Sequence, residues 1–214
     1  MTHFIGVDGE GVTNADSSHD YVLLSVGDQS LHSNGGRLSF STIMPFLYRQ
    51  FQLNHRSAFV GYYLSYDFSQ WLKDLPEKQA WLLLSDNGIT LRKPKTSPNP
   101  DPFPVRWAGW EFDLLGMRRF KLRPATSDPI TIKNVHSWMW ICDAGPFWQT
   151  SFLNAIDPKR WGDEPVCSEL EWEIIKAGKL ARSDAGFDPT MITYNVTENT
   201  VLTRAMSRMD IGFR

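Results

Sequence analysis

Short apolar segments of strand length alternate along the chain with segments of helical apolar spacing, and this alternation does most to limit the possible folds. Apolar runs predict strands at 3–8, 21–28, 58–64 and 132–144. Helical spacing and helix-start signals predict helices at 43–53, 67–75, 145–156, 167–180 and 193–212. A chain that alternates in this way is expected to fold as a sheet covered by helices.

The middle of the chain has a different character. Residues 94–104 hold five of the thirteen prolines and are not expected to form regular structure. The segments around them, 89–93, 105–115 and 118–124, resemble antiparallel strands. The length of 214 residues suits one domain. We therefore predict a single α/β domain over 1–214, with a mixed central sheet flanked by helices and a β-rich insertion at about 88–131.

Charge is unevenly distributed beneath the net charge of -2. Residues 1–30 hold five acids and no Lys or Arg, whereas residues 92–133 hold nine bases and four acids. The acidic segment suits a cation and the basic segment suits a polyanion, with ordinary solvated surface as the alternative. Two cysteines are too few for a disulfide framework, which indicates a reducing, cytoplasmic compartment. No apolar run approaches the ~18 residues of a membrane span, so no membrane partner is expected.

The first chemical signal is Asp8-Gly9-Glu10, at the end of the first predicted strand. Side chains two positions apart on an extended chain point to the same side, so these carboxylates would repel each other without a cation between them. Gly9 and Gly11 leave room for a ligand near the backbone. The segment therefore predicts a site for a hard divalent cation with oxygen ligands, with a solvated turn as the alternative.

Two further acids are each close to a tyrosine in the sequence, one directly after it and the other four positions later. Tyr66-Asp67 follows the strand at 58–64 and opens a predicted helix, where an acid also serves as a cap. Tyr194 and Glu198 lie four positions apart on the last predicted helix and so share a face. Each pair is a weak signal by itself.

The order of these three motifs resembles that of the DEDD 3′–5′ exonucleases, in the branch that has a tyrosine in its last motif. Position 193 is Thr, where the other branch has His. More narrowly, FIGVDGEGV, GYYLSYDFSQWL, WICDAGPFWQTSFLNAI and YNVTENTVL resemble segments of the exonuclease domain of phage- or plasmid-type family B DNA polymerases. The resemblance extends from residue 4 to about residue 205 and implies a ribonuclease H-like fold.

The resemblance also implies a function, which is proofreading hydrolysis of DNA from its 3′ end in viral or plasmid replication, in the host cytoplasm if the protein is viral. Asp8, Glu10, Asp67 and Glu198 would hold two Mg²⁺ or Mn²⁺ ions, with Asp8 as the bridging ligand. Tyr194 would orient the attacking water, since a phenol is a poor base at neutral pH. A polymerase domain or subunit would be a partner.

Aromatic stacking and basic groups along the backbone hold single-stranded nucleic acid without reading its sequence. The aromatic candidates near the motifs are Tyr62, Tyr63, Phe68 and Phe147. The basic candidates are Arg118, Arg119, Lys121 and Arg123. Core packing is the alternative for the aromatic residues, and a solvated strand face is the alternative for the basic ones.

The sequence departs from the family pattern in three places. The last motif ends in Glu198 where the family has Asp, and Tyr62 and Tyr63 stand where the family has an Asn. Polymerase signatures such as Ser-Leu-Tyr-Pro and Asp-Thr-Asp are absent, so the chain is expected to be a separate domain, a split subunit or a stand-alone nuclease. Three alternatives stay open: a catalytically inactive exonuclease-like domain that binds nucleic acid, an RNA-directed exonuclease of the same fold, and a structural interaction module.

Overall fold

The computed structural model describes residues 3–95, 101–125, 138–181 and 187–212. These residues form an α/β fold in which helices flank a mixed sheet, as the sequence predicts. Eight strands make up the sheet within these ranges: β1 (His3–Thr13), β2 (His19–Val26), β3 (Gln29–His32), β4 (Ser57–Gly61), β5 (Val105–Trp107), β6 (Trp110–Leu115), β7 (Arg119–Pro124) and β8 (Met139–Asp143).

The sheet order is β3-β2-β1-β4-β8-β7-β6-β5. The central strands β1, β4 and β8 are parallel, and the remaining neighbouring pairs are antiparallel. β1 extends past the end of β4, because its pairing with β4 stops at Gly6 while its pairing with β2 continues to Thr13. The second half of β1 therefore projects beyond the carboxyl end of β4, where ligands bind in many α/β sheets.

Helices cover both faces of the sheet. In the described residues they are α1 (Phe40–Leu53), α2 (Ser65–Trp71), α3 (Glu77–Leu84), α4 (Asp86–Leu91), α5 (Gly145–Trp148), α6 (Phe152–Ala155), α7 (Glu169–Leu180) and α8 (Thr190–Gly212), with a 3₁₀ turn at Pro158–Arg160. α1, α2 and α3 bury apolar side chains against one face. α6, α7 and α8 do so against the other face, over β4.

Local sequence accounts for the longer helices. α1 buries Phe40, Ile43, Met44 and Leu47, which have the spacing of one helical face. α7 begins with the capping box that the sequence predicts at Ser168 and Glu171: the Ser168 N–H donates to Glu171 Oε2 at 2.9 Å and the Glu171 N–H donates to Ser168 Oγ at 3.3 Å.

Within the predicted β-rich insertion, the strand expected at 89–93 is wrong. Residues 86–91 form α4 instead. The Ser85 hydroxyl caps this helix by accepting the N–H of Gly88 at 2.9 Å, and Arg92 Nε donates to the carbonyl of Leu82 at 2.9 Å. These contacts outweigh the strand preference of the β-branched pair Ile89-Thr90.

Two predicted elements are divided by residues with positive φ. Ala108 and Gly109, at φ 46° and 80°, form a two-residue turn that splits 105–115 into β5 and β6. Gln149, at φ 51°, separates α5 from α6. No sequence pattern predicts β3. Parts of three predictions lie outside the described residues: 96–100 of the proline-rich segment, 126–131 of the insertion and 132–137 of the last strand.

α8 lies directly on β1 because Gly6 has no side chain. A Cβ at Gly6 would lie 2.5 Å from the carbonyl oxygen of Asn199. The Gly6 N–H also donates to Thr203 Oγ1 at 3.0 Å, which fixes the helix along the strand. This contact brings the middle of α8 to the projecting half of β1. None of the described helices is long and apolar enough to cross a membrane.

Candidate metal centre

Three carboxylates from distant parts of the chain meet beyond the carboxyl end of β4. Asp8 and Glu10 lie two positions apart on β1, and Glu198 comes from α8. Ligand oxygens of these three residues, which we name the acidic trio, lie within 4.8 Å of one another. Glu10 and Glu198 are buried and Asp8 is half-buried. The structure thus brings together three of the four acids that the sequence predicts as metal ligands.

Each member of the acidic trio accepts a hydrogen bond from a side chain of α7 or α8. Asn195 Nδ2 donates to Asp8 Oδ2 at 2.7 Å, the Tyr194 hydroxyl donates to Glu10 Oε1 at 2.6 Å, and Lys179 Nζ donates to Glu198 Oε1 at 2.7 Å. The crossing of α7 and α8 that supplies these donors is close because Gly178 faces the Tyr194 ring, where a Cβ would lie 2.4 Å from Cγ.

Asp67, in the first turn of α2, is a further carboxylate beside the trio, and it is buried. Its Oδ1 accepts a hydrogen bond from the Tyr21 hydroxyl at 2.8 Å, and that hydroxyl accepts one from Trp71 Nε1 at 3.0 Å. Tyr21 reaches Asp67 past Gly9, where a Cβ would lie 1.7 Å from the phenol oxygen. The glycine predicted to admit a ligand therefore admits a tyrosine of the neighbouring strand.

Burial and neighbouring charges raise the pKa values of two of the carboxylates, Asp8 and Asp67. Burial, followed by the charges of Glu198, Glu10 and Asp67, raises the pKa of Asp8 well above its usual range, and Lys179 opposes this shift. Burial and the charges of Glu10 and Glu198 also raise the pKa of Asp67 to about 7, against the lowering effect of its hydrogen bond from Tyr21. The site is therefore short of positive charge.

The residues present fit a bound metal ion. Glu198 Oε2 and Asn195 Oδ1 are buried and have no hydrogen-bond partner among the described residues. A buried carboxylate oxygen without a partner is costly, and a divalent cation would offset that cost. The ligand atoms on offer are all oxygens, the donors that hard cations prefer. Asp8, Glu10 and Glu198 can therefore hold a metal ion.

A cavity of about 580 Å³ opens beside the carboxylates. Asp8, Glu10, Asp67, Glu198 and Lys179 contribute to its floor and walls, together with His19, Tyr62, Tyr63 and Tyr66. The Tyr66 hydroxyl is hydrogen-bonded to His19 Nε2 at 2.6 Å. The N–H of Tyr63, a residue with φ 57°, donates to Asp143 Oδ1 at 2.8 Å. The cavity thus combines acidic groups with an aromatic wall.

The predicted nucleic-acid contacts divide into three groups. Tyr62 and Tyr63 line the cavity, as a contact to a strand end would require. Phe68 is fully buried between Trp71 and Phe120, so its predicted stacking role is wrong. Phe68 lies three residues before Trp71, the buried last residue of α2, so both side chains share the helix face that points into the core. The basic residues Arg118, Arg119 and Lys121 lie at or within β7, several strands away from β1.

Tyr194 lies behind the acidic trio. It is buried, its hydroxyl is bonded to Glu10, and it lines a second cavity of about 400 Å³ between α7 and α8. Sequence reasoning missed Tyr21 and Asn195, which hold Asp67 and Asp8. Asn195 directly follows Tyr194 in the last motif, but no spacing rule singles out an amide there. Tyr21 carries no sequence signal for its contact with residue 67.

The fold and the site together define an α/β protein with a mixed sheet and an acidic cleft whose carboxylates can hold a metal ion. Comparisons with protein-family models, with curated proteins and with solved structures found no match.

Proposed function

We propose that the protein is a metal-dependent 3′–5′ exonuclease with a ribonuclease H-like fold, acting on single-stranded or frayed DNA ends. The observation that carries the proposal is the convergence of the acidic trio and Asp67 on one open cavity with tyrosine walls. Carboxylates from the first strand, the helix after β4 and the last helix supply the ligands. Such a site suits phosphodiester hydrolysis, because it concentrates cations where a polyanion must enter.

The acidic trio and Asp67 would hold two Mg²⁺ or Mn²⁺ ions, which supply water activation and stabilise charge on the reacting phosphate when bound. Lys179 Nζ lies 2.7 Å from Glu198 Oε1 and places a positive charge at the edge of the cleft. Tyr62, Tyr63 and Tyr66 offer ring faces or edges to the terminal bases. The apolar parts of these rings limit water in the cleft.

Tyr194 acts in this proposal as a positioning residue. Its hydroxyl holds Glu10 at 2.6 Å, so it sets the orientation of a metal ligand. The role expected from the family resemblance, orienting the attacking water, requires the hydroxyl to turn from Glu10 towards the cavity. Tyr194→Phe would therefore lower kcat with little change in folding, while leaving the four carboxylates present.

We place this activity in proofreading during viral or plasmid DNA replication, beside a polymerase domain or subunit. Two free cysteines, Cys142 and Cys167, suit a reducing compartment such as the cytoplasm.

The test uses a 5′-labelled single-stranded DNA oligonucleotide with Mg²⁺ or Mn²⁺. Wild type should shorten it from the 3′ end, and EDTA or the Asp8→Ala/Glu10→Ala variant should abolish the ladder. The matched control is Asp163→Ala/Glu169→Ala, which removes two exposed carboxylates far from the cleft and should leave the ladder intact.

Each other outcome has a defined meaning. A folded wild type that leaves DNA intact but shortens a matched RNA would make the protein an RNA-directed exonuclease. A folded wild type that shortens neither but binds single strands would make it an inactive exonuclease-like binding domain. A folded wild type that neither binds nor hydrolyses nucleic acid would indicate a structural interaction module.

A further inference from the structure

A row of basic and aromatic side chains lies on the sheet face of β7 and β8 that the core does not use. Phe120, Leu122, Met139 and Ile141 point into the core, so their alternating neighbours point to the opposite face. We name these neighbours the basic–aromatic face: Arg119, Lys121 and Arg123 on β7, Trp140 on β8 and Trp138 directly before β8.

The cations of this face lie over its indole rings. Arg123 Cζ is 4.2 Å from the centre of the Trp138 ring. Lys121 Nζ lies between the two rings, 5.2 Å from Trp138 and 5.7 Å from Trp140. Arg119 Cζ is 6.0 Å from Trp140. Trp140 is nevertheless 40% exposed, which is unusual for an indole in the middle of a sheet.

The acids on the adjoining strand are already neutralised. Glu111 Oε2 accepts from Arg123 Nε at 2.6 Å, and Asp113 lies 3.3 Å from Arg92 and 3.6 Å from Lys121. Arg119 is exposed and forms no ion pair with any described residue. Arg123 is buried and Lys121 is paired with Asp113, so the exposed positive charge of this face is that of Arg119, which is complementary to a polyanion.

Two adjoining cavities lie along β8 between this face and the residues that border the acidic cavity. These cavities, of about 350 and 510 Å³, share an apolar floor made by Phe4, Val60, Cys142 and Met206. The first reaches Asp143 and Phe147, and the second reaches Trp138 and Trp140. Asp143 accepts the N–H of Tyr63, which lines the acidic cavity. The path from cleft to Trp140 follows β8 for three residues, roughly 10 Å.

We infer that the basic–aromatic face binds the single-stranded nucleic acid upstream of the 3′ end, with bases over the apolar floor and Trp140 and a phosphate near Arg119. Arg119 supplies the phosphate contact because it is exposed, whereas the Lys121 side chain is only 12% exposed and is paired with Asp113. The inference places this strand relative to the proposed exonuclease site and rests on that function for its direction. The binding itself does not require a catalytic site.

The experiment measures binding without cleavage. A 5′-fluorescein oligothymidylate of about twelve nucleotides, within the site sizes of known single-strand binders, is titrated in EDTA at several salt concentrations. An oligouridylate of the same length is the second arm. The variants are Trp140→Ala, Trp140→Phe and Arg119→Ala. The matched control is Trp81→Ala, which removes an indole 44% exposed on α3, a helix packed on the other sheet face.

Trp140→Ala should weaken binding about five-fold or more, and Trp140→Phe should restore most of it, because stacking needs only an aromatic ring. Arg119→Ala should weaken binding and reduce the slope of log affinity against log salt by about 0.7. Trp81→Ala should bind as wild type does. Similar losses for the two oligomers are expected, because stacking and phosphate contacts do not read the 2′-hydroxyl.

Wild-type affinity in both Trp140→Ala and Arg119→Ala would overturn the inference and leave the two cavities to a protein partner. If Trp140→Ala fails to fold, Arg119→Ala carries the decision alone, since Arg119 is exposed. The result is separable from the proposed function. Weakened binding in these variants with no 3′ ladder from wild type would retain the binding face and reject the nuclease, and the reverse pattern would reject the face alone.

Discussion

Asp67 is the residue that most directly links stability to pH. Burial raises its pKa to about 7 in the folded protein, against about 3.9 for an unstructured Asp. Between those values the folded state holds a proton that the unfolded chain has lost, so stability falls as pH rises from about 4 to about 7. Above about pH 7 Asp67 is ionised in both states, so its effect on the free energy of unfolding no longer changes with pH.

Asp67→Asn cannot ionise and still accepts the hydrogen bond from Tyr21. In EDTA we expect it to be more stable than wild type at pH 8, by up to about 4 kcal/mol, with a difference that shrinks towards pH 4. Denaturant unfolding across this range measures it. Asp163→Asn, at an exposed position, should show no such trend. A pH-independent difference between Asp67→Asn and wild type would contradict the prediction.

Lys179 supplies the positive charge closest to Glu198, in direct contact with a carboxylate that a metal ion would also use. A bound divalent cation and the ammonium therefore compete for Glu198. Lys179→Met keeps the length of the side chain but removes the charge, so we expect Mn²⁺ to bind several-fold tighter, measured by titration followed with electron paramagnetic resonance. Lys176→Met, one turn earlier on α7 and paired with Glu173, should leave Mn²⁺ affinity unchanged. Weaker Mn²⁺ binding in Lys179→Met would show that the lysine supports the site rather than competing for it.

At the scale of elements, the contact between β1 and α8 builds the site. Gly6→Ala would place a Cβ 2.5 Å from the Asn199 carbonyl, and backbone on both sides must then move. We expect a loss of roughly 1–3 kcal/mol of stability, together with weaker Mn²⁺ binding because Glu198 moves with α8.

The comparison for Gly6→Ala is Gly27→Ala in the turn after β2. Gly27 has φ 60°, and its Cβ would meet only Ile5 at 3.5 Å, an ordinary contact. That change strains the backbone and costs about 1 kcal/mol without moving α8. Unchanged Mn²⁺ affinity in Gly6→Ala would show that Glu198 does not depend on this contact.

Elements with a strong local signal could be predicted from the sequence. The capping box of Ser168 and Glu171 predicts the start of α7, and the apolar spacing of Ile43 and Leu47 predicts α1. The helix α4 could not be predicted in the same way, because Ile89-Thr90 favours a strand and the opposing contacts come from Ser85 and Arg92.

The residues of the candidate site also differ in whether a local sequence pattern predicts them. Asp8 and Glu10 follow from alternation on one strand, since i and i+2 share a side. The hydrogen-bond donors to Asp8 and Asp67 could not be predicted. Asn195 is 187 residues from Asp8 in the sequence, and Tyr21 is 46 residues from Asp67. Such contacts depend on how α8 and β2 pack on β1, which no local pattern encodes. The pattern did identify the acids that the packing brings together.

At the scale of the whole molecule, the acidic trio joins the two ends of the fold. Asp8 and Glu10 lie on the first strand and Glu198 on the last helix. Without a cation, burial of the charges and their mutual repulsion oppose this closure, and both raise the pKa of Asp8. A bound metal ion would reverse the sign of this interaction and stabilise the entire domain, since it binds only the folded arrangement.

We therefore expect Mn²⁺ at about one hundred times its Kd to stabilise wild type by about 2.7 kcal/mol, and EDTA to remove that gain. The Asp8→Asn/Glu10→Gln variant should behave in the opposite way. Its Tm in EDTA should exceed that of wild type, because two of the repelling charges are gone, and Mn²⁺ should not raise it further. Asp163→Asn/Glu169→Gln controls for the loss of two charges at exposed positions. A variant that is less stable than wild type in EDTA, or that gains as much from Mn²⁺, would show that the carboxylates are held by protein contacts alone and do not form a metal site.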